Sequence, residues 1–174
     1  MQEFRIPSES VLLIAESFSS MRFVIRRRLP QRFRDLTGKN LLILGLHGQR
    51  DAGVVRTINV HLKHQVLKTF FLGDLDAGGF SLCNRLRFGC VGDCTFDVPT
   101  NQSLKNLDLI PIIFDVANLP HTTQLIRRQV LINLLPKVPL EERHIIVSML
   151  NTNLSVQAEN IDANLILEFI VQRI

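Results

Sequence analysis

The sequence predicts a single α+β domain dominated by an antiparallel β-sheet or sandwich, with a few short helices. Three observations predict it. Short runs alternate apolar and polar residues, above all Phe80, Leu82, Leu86 and Phe88 against Ser81, Cys83, Arg85 and Arg87, which is the two-residue period of a half-buried strand. Glycine-bearing loops at 48–53, 73–79 and 89–92 punctuate these runs, as turns between strands do. At 174 residues and 46% apolar content the chain is long enough to bury one core unaided, so 1–174 reads as one domain.

In chain order, Ser8 and Ser10 suit the N-cap of a short apolar helix over 11–18. From Met21 the pattern turns to alternation, with Met21, Phe23 and Ile25 on one side and Arg22, Arg26 and Arg28 on the other. That predicts a strand with a basic outer face, on which Arg27 falls in the inward register and suits a structural ion pair. Pro30 fits a first helical turn and Gly38 the position after its end, bracketing a helix through Phe33 and Leu36. Residues 41–46 and 66–72 read as strands, with alternation over Val54, Ile58, Val60 and Leu62 between them. The 80–88 run and Cys94, Phe96 and Val98 add two more strands, and 107–116 a further one that Pro111 confines to an edge. Thr122 or Thr123 suits the cap of a helix ended by Pro136. Residues 139–150 read equally as helix or strand, and Leu165, Leu167, Phe169 and Val171 as a closing strand.

Charge is the most informative functional signal. Between residues 21 and 40 stand Arg22, Arg26, Arg27, Arg28, Arg32, Arg34 and Lys39 against Asp35 alone, a balance of +6 in a chain whose total is +4. A focused positive field selects anionic partners such as phosphate backbones or acidic headgroups. Arg85 and Arg87, on one face of a predicted strand, extend the patch. At the other end Glu141, Glu142, Glu159, Asp162 and Glu168 face only Arg143 and Arg173. Opposite charges at the two ends predict head-to-tail self-association through those acids.

Catalytic patterns are weaker. The segment ending in His47 and Gly48 lacks the Gly-Lys-Ser/Thr of a phosphate loop, and no Gly-x-Ser-x-Gly elbow accompanies it. His61, His64, Cys83, Cys90 and Cys94 follow no zinc spacing, so no metal site is expected there. Asp74, Asp76, Asp93 and Asp97 are paired carboxylates of the kind that bind a cation or do acid–base work, yet in glycine-rich turns they read first as turn formers. No catalytic residue and no cofactor is assigned. Asn101 and Asn153 head glycosylation tripeptides, but residues 1–10 lack the apolar core of a secretory signal. A cytoplasmic protein, peripheral at membranes or in a virion, is the expected location.

One family resemblance follows from these residues. The basic α+β domain of this size and the segment Thr37-Gly-Lys-Asn-Leu-Leu-Ile-Leu-Gly-Leu-His-Gly48 after a basic helix, flanked by β-rich sequence, resemble the matrix proteins of plant rhabdoviruses of the cytorhabdovirus type. The resemblance implies a non-enzymatic protein that self-associates, condenses a nucleocapsid and bridges it to an anionic membrane. The alternative is a single-stranded nucleic-acid-binding or viral movement-type protein, and a small enzyme comes third.

Overall fold

A computed structural model describes residues 6–46, 58–62, 64–88 and 108–174. The predicted antiparallel sandwich is corrected: the chain forms an α/β domain around a four-stranded parallel sheet, ordered β2-β1-β3-β4. β1 is Ser10–Ala15, β2 Asn40–Gly45, β3 Val66–Leu72 and β4 the two residues Ile110–Pro111. An antiparallel pair, β5 (Thr123–Gln124) and β6 (Leu154–Ser155), lies apart from it and is tied to the end of β3 by a bridge between Leu75 and Val156. The helices are α1 (Phe18–Arg26), α2 (Leu29–Thr37), α3 (Ala77–Phe88), α4 (Arg128–Leu134), α5 (Leu140–Thr152) and α6 (Ala163–Val171).

The predicted helix over 11–18 is instead the central strand. Every residue of β1 is buried, because helices cover both faces of a parallel sheet and such strands read as unbroken apolar runs. Val11 and Leu13 join Phe70 and Leu72 on one face, beneath Val24 of α1, Leu29 and Phe33 of α2, and Ile166 and Ile170 of α6. Leu12, Ile14 and Phe71 face the other way, against Leu82, Cys83 and Leu86 of α3. Phe169 closes the first face edge-on to Phe70 and Phe114, with centroids 6.5 and 5.6 Å away.

Three predicted strands are helices. Residues 21–28 lie largely in α1, which Ser17 caps by accepting the Ser20 N–H at 3.1 Å. Residues 80–88 form α3, where the buried Leu82, Cys83 and Leu86 recur at helical spacing. The closing strand is α6, with Ala163, Ile166, Leu167 and Ile170 at i, i+3, i+4 and i+7 all buried. Residues 139–150 resolve as helix. The α2 expectation holds, with Pro30 at its start and Gly38 at φ +72° ending it, its N–H bonded to the Arg34 carbonyl at 2.8 Å. β2 and β3 fall where expected, and Pro111 does occupy an edge strand. Residues 58–62 make a π-helical turn in place of a strand, and the helix foreseen from Thr122 or Thr123 begins at Arg128. The readings at residues 47–57, Cys90, Asp93, Cys94, Phe96, Asp97 and Asn101 lie outside the described residues.

This topology creates a special place. From β1 the chain passes through α1 and α2 to β2 on one side, then returns to β3 on the other side of β1. The strand order reverses between β1 and β3. Connections therefore leave their carboxyl ends in opposite directions and open a crevice, where doubly wound sheets bind ligands.

Candidate functional site

Three carboxylates stand at that crevice. Glu16 is the first residue after β1, and Asp74 and Asp76 follow β3 by two and four positions. Each is anchored through one oxygen on a backbone N–H. Glu16 Oε2 accepts from Asp74 at 2.7 Å, Asp74 Oδ1 from Ala158 at 2.8 Å, and Asp76 Oδ1 from Gly79 at 2.8 Å. The second oxygen of each makes no hydrogen bond among the described residues. Two glycines permit the approach. A Cβ at Gly73 would lie 2.8 Å from Glu16 Oε2 and 2.5 Å from the Phe71 ring, and one at Gly79 only 2.0 Å from the Asp74 carbonyl oxygen.

Burial pushes the Glu16 carboxyl up to about 7, against the lowering effect of the Asp74 N–H, and the charges of Asp74, Asp76 and Glu159 raise it further. Asp74 is pushed up to about 6, again chiefly by burial, with Asp76 and Glu159 adding repulsion. Glu159, on the turn Ala158–Asn160 before α6, accepts a hydrogen bond from the Ser20 hydroxyl at 3.3 Å and so ties this acidic group to α1. Among the described residues no group of three or more His, Cys, Asp or Glu side chains is arranged to hold a metal ion.

The basic residues lie on α1, on α2 and at the junction between them. On a helix Arg22 and Arg26 align at i, i+4, as do Phe23 and Arg27. The expected alignment of Arg22, Arg26 and Arg28 is thus corrected, since Arg28 sits at the left-handed junction between α1 and α2 with φ +53°. Arg27 makes no ion pair among the described residues. It is exposed, with its guanidinium 5.8 Å from the Phe23 ring centroid. A groove of about 460 Å³ runs between Arg22, Phe23, Arg26, Arg27 and Glu159. A second, of about 470 Å³, shares Phe23, Arg27 and Glu159 with it and continues past Arg32 to His121 and Asn164. The Arg32 guanidinium donates to Asn164 Oδ1. Arg34 is exposed on α2, and Lys39 pairs with Glu9 at 3.8 Å.

The other predicted site residues are placed elsewhere. Arg85 and Arg87 ride on α3, which covers the opposite face of the sheet from α1, so they do not extend the patch. Arg87 instead holds Glu142 with one nitrogen at 2.7 and 2.8 Å from its two oxygens, both side chains nearly buried. That burial removes Glu142 from any self-association surface and raises its carboxyl, while the Arg87 charge opposes the shift. Glu141, Asp162 and Glu168 remain exposed, and Glu159 belongs to the grooves. Cys83 is buried among apolar side chains, which pushes its thiol up to about 12.

Glu16 is the site residue that sequence reasoning passed over. The signal was present: an acid directly after five apolar residues, and an Asp-x-Asp directly after a second apolar run and a glycine. No protein-family model matches the chain, and no curated protein is similar to it. Among the described residues no helix is long and apolar enough to cross a membrane.

Proposed function

We propose that this chain binds a nucleic-acid phosphodiester at the carboxyl edge of its parallel sheet, together with a divalent cation such as Mg²⁺, and that Glu16 moves a proton in the phosphodiester chemistry there. The observation that supports it is the placement of Glu16, Asp74 and Asp76 on the two strands flanking the reversal, each fixed through one oxygen and open at the other. Mg²⁺ keeps several waters and is usually held by one or two carboxylates plus substrate phosphates, so it needs no closed protein cage. The exposed guanidinium groups of Arg22, Arg26 and Arg27 line a groove with Glu159, whose charge also acts on Glu16 and Asp74, and they suit backbone phosphates. Without a cation, burial pushes the Glu16 carboxyl up to about 7, and a cation held beside it would favour the carboxylate that accepts a proton. As a carboxylate, Glu16 takes the proton of an attacking water or hydroxyl; as the acid, it returns one to the departing oxygen.

The test uses protein dialysed against chelator, with thermal unfolding followed as Mg²⁺ is added. Wild type gains stability in millimolar Mg²⁺, because a ligand that binds only the folded state stabilises it. Asp74→Asn and Asp76→Asn lose that gain, and lose any Mg²⁺- or Mn²⁺-dependent nicking of plasmid DNA. A wild-type melting temperature indifferent to both cations, with no cation-dependent cleavage, overturns the proposal.

A second reading keeps the basic surface without the chemistry: a non-enzymatic protein that coats an anionic partner and self-associates, as the matrix-protein resemblance implies. It is favoured by Arg22, Arg26, Arg27, Arg28 and Arg34, which are exposed and make no ion pair among the described residues. It predicts cation-independent binding to anionic vesicles and assembly at low salt. A strict monomer in sedimentation at high concentration and low salt refutes it.

A further inference from the structure

The two grooves that meet at Phe23, Arg27 and Glu159 differ in chemistry, and the difference points to the form of nucleic acid. The first is cationic, with Arg22, Arg26 and Arg27 along its wall and Glu159 as its one carboxylate. The second exchanges most of that charge for mixed donors and acceptors: His121, Asn160, Asp162 and Asn164 line it with Arg27 and Arg32. A phosphate running into the second groove meets the Asp162 carboxylate in addition to Glu159, which lines both grooves. A nucleobase meets the Asn160 amide, which can both donate and accept, and the Asn164 amide, whose oxygen accepts from Arg32 while its N–H groups remain to donate.

Between the grooves stands the flat element a base requires. Phe23 is half-buried against the core, and the Arg27 guanidinium lies over its ring. Base stacking on aromatic and guanidinium planes is the common device of proteins that hold single strands. The second groove, at about 470 Å³, lies within the ~300–1,000 Å³ typical of small-molecule sites. His121 is held at φ +58°, a left-handed conformation uncommon outside glycine, on the rim of this groove.

We infer that the second groove receives an unpaired nucleobase of a single strand, stacked at Phe23 and Arg27 and read by Asn160, Asn164 and His121, while the adjoining phosphates lie against Arg22 and Arg26. This rests on the proposed nucleic-acid function and narrows its substrate to unpaired strands or unpaired ends. A base inside a duplex cannot enter, because its faces are covered by its neighbours and its edge by its partner.

The discriminating probes are three labelled oligonucleotides of equal length: a mixed-sequence single strand, its duplex, and a single strand carrying abasic sites throughout its middle. Fluorescence anisotropy in Mg²⁺ then separates phosphate from base recognition. The single strand is expected to bind at least tenfold more tightly than either other probe. His121→Gly, which suits the positive φ, and Asn164→Ala each narrow that preference, as does Phe23→Leu if it folds. Equal affinity for all three probes, or a preference for the duplex, overturns the inference and leaves the proposed function standing. Binding to none of them overturns both.

Discussion

Replacing Glu16 by Gln tests the electrostatics of the crevice directly. The amide keeps the shape and an oxygen acceptor for the Asp74 N–H but carries no charge at any pH. In the folded protein the carboxyl is pushed from 4.5 to about 7. A raised folded-state value means that folding favours the protonated form. Its contribution is fully present below about pH 4.5 and is lost as pH rises through 7, so above 7 the wild type carries the whole penalty of a crowded carboxylate. At ~1.36 kcal/mol per unit the shift sets an upper bound of about 3 kcal/mol; partial exposure and screening reduce the expected figure to about 2. Without added metal, Glu16→Gln should therefore be about 2 kcal/mol more stable than wild type at pH 8, or some 4–8 °C higher in Tm for a domain of this size. The advantage should vanish near pH 4.5. Melting curves in EDTA across that range measure it, with urea titrations as a check. A variant that is less stable than wild type at pH 8, or a difference independent of pH, refutes the reasoning.

Other perturbations follow from the same geometry. Gly79→Ala places a methyl carbon 2.0 Å from the Asp74 carbonyl oxygen, where backbone must move. It should cost about 3 kcal/mol or more in chemical denaturation and abolish the Mg²⁺ response with it. Glu142→Ala removes the two hydrogen bonds that Arg87 donates to this carboxylate and should cost about 1.5–3 kcal/mol in chemical denaturation, whereas replacing both partners with apolar residues of similar volume should recover most of that loss. Arg22→Ala with Arg26→Ala should lower the salt dependence of single-strand binding by about 1.4 in the slope of log K against log salt, two phosphate contacts at ~0.7 each. An unchanged slope would place the phosphates elsewhere.

The legible parts of the fold were those where local chemistry and tertiary demand agree. Pro30 and Gly38 mark α2 because each suits only its end of a helix, and β2 and β3 show β-type apolar runs beside glycine. The misread parts share a cause. A two-residue alternation and a helical period both fit a short segment in which apolar and polar residues are nearly balanced. Leu82 and Leu86 are two strand steps apart, yet also one helical turn, and Cys83 and Asn84, both buried, decide for the helix. In α6 almost every residue is apolar, so any period can be found in it. The candidate site was lost with the elements. While residues 11–18 read as a helix, Glu16 was one more position on it; once they form a strand ending at Ala15, the same carboxylate stands at the mouth of a crevice. Similarly, Asp74 and Asp76 resemble turn formers until the strand order beside them is known to reverse. The basic cluster was visible throughout, since charge density needs no secondary structure, but its alignment was not.

The central position of β1 carries a consequence for time as well as for stability. Hydrogen-bonded to β2 on one side and β3 on the other, and buried on both faces, its amides have no route to solvent short of opening the whole domain. Glu16, one residue beyond, inherits that clock: its backbone should exchange with the slowest amides in the chain. His121 and Asn160, on short turns between small elements at the far rim, should exchange early. One domain thus holds a strand that persists as long as the fold does and turns that open and reseat many times within that lifetime.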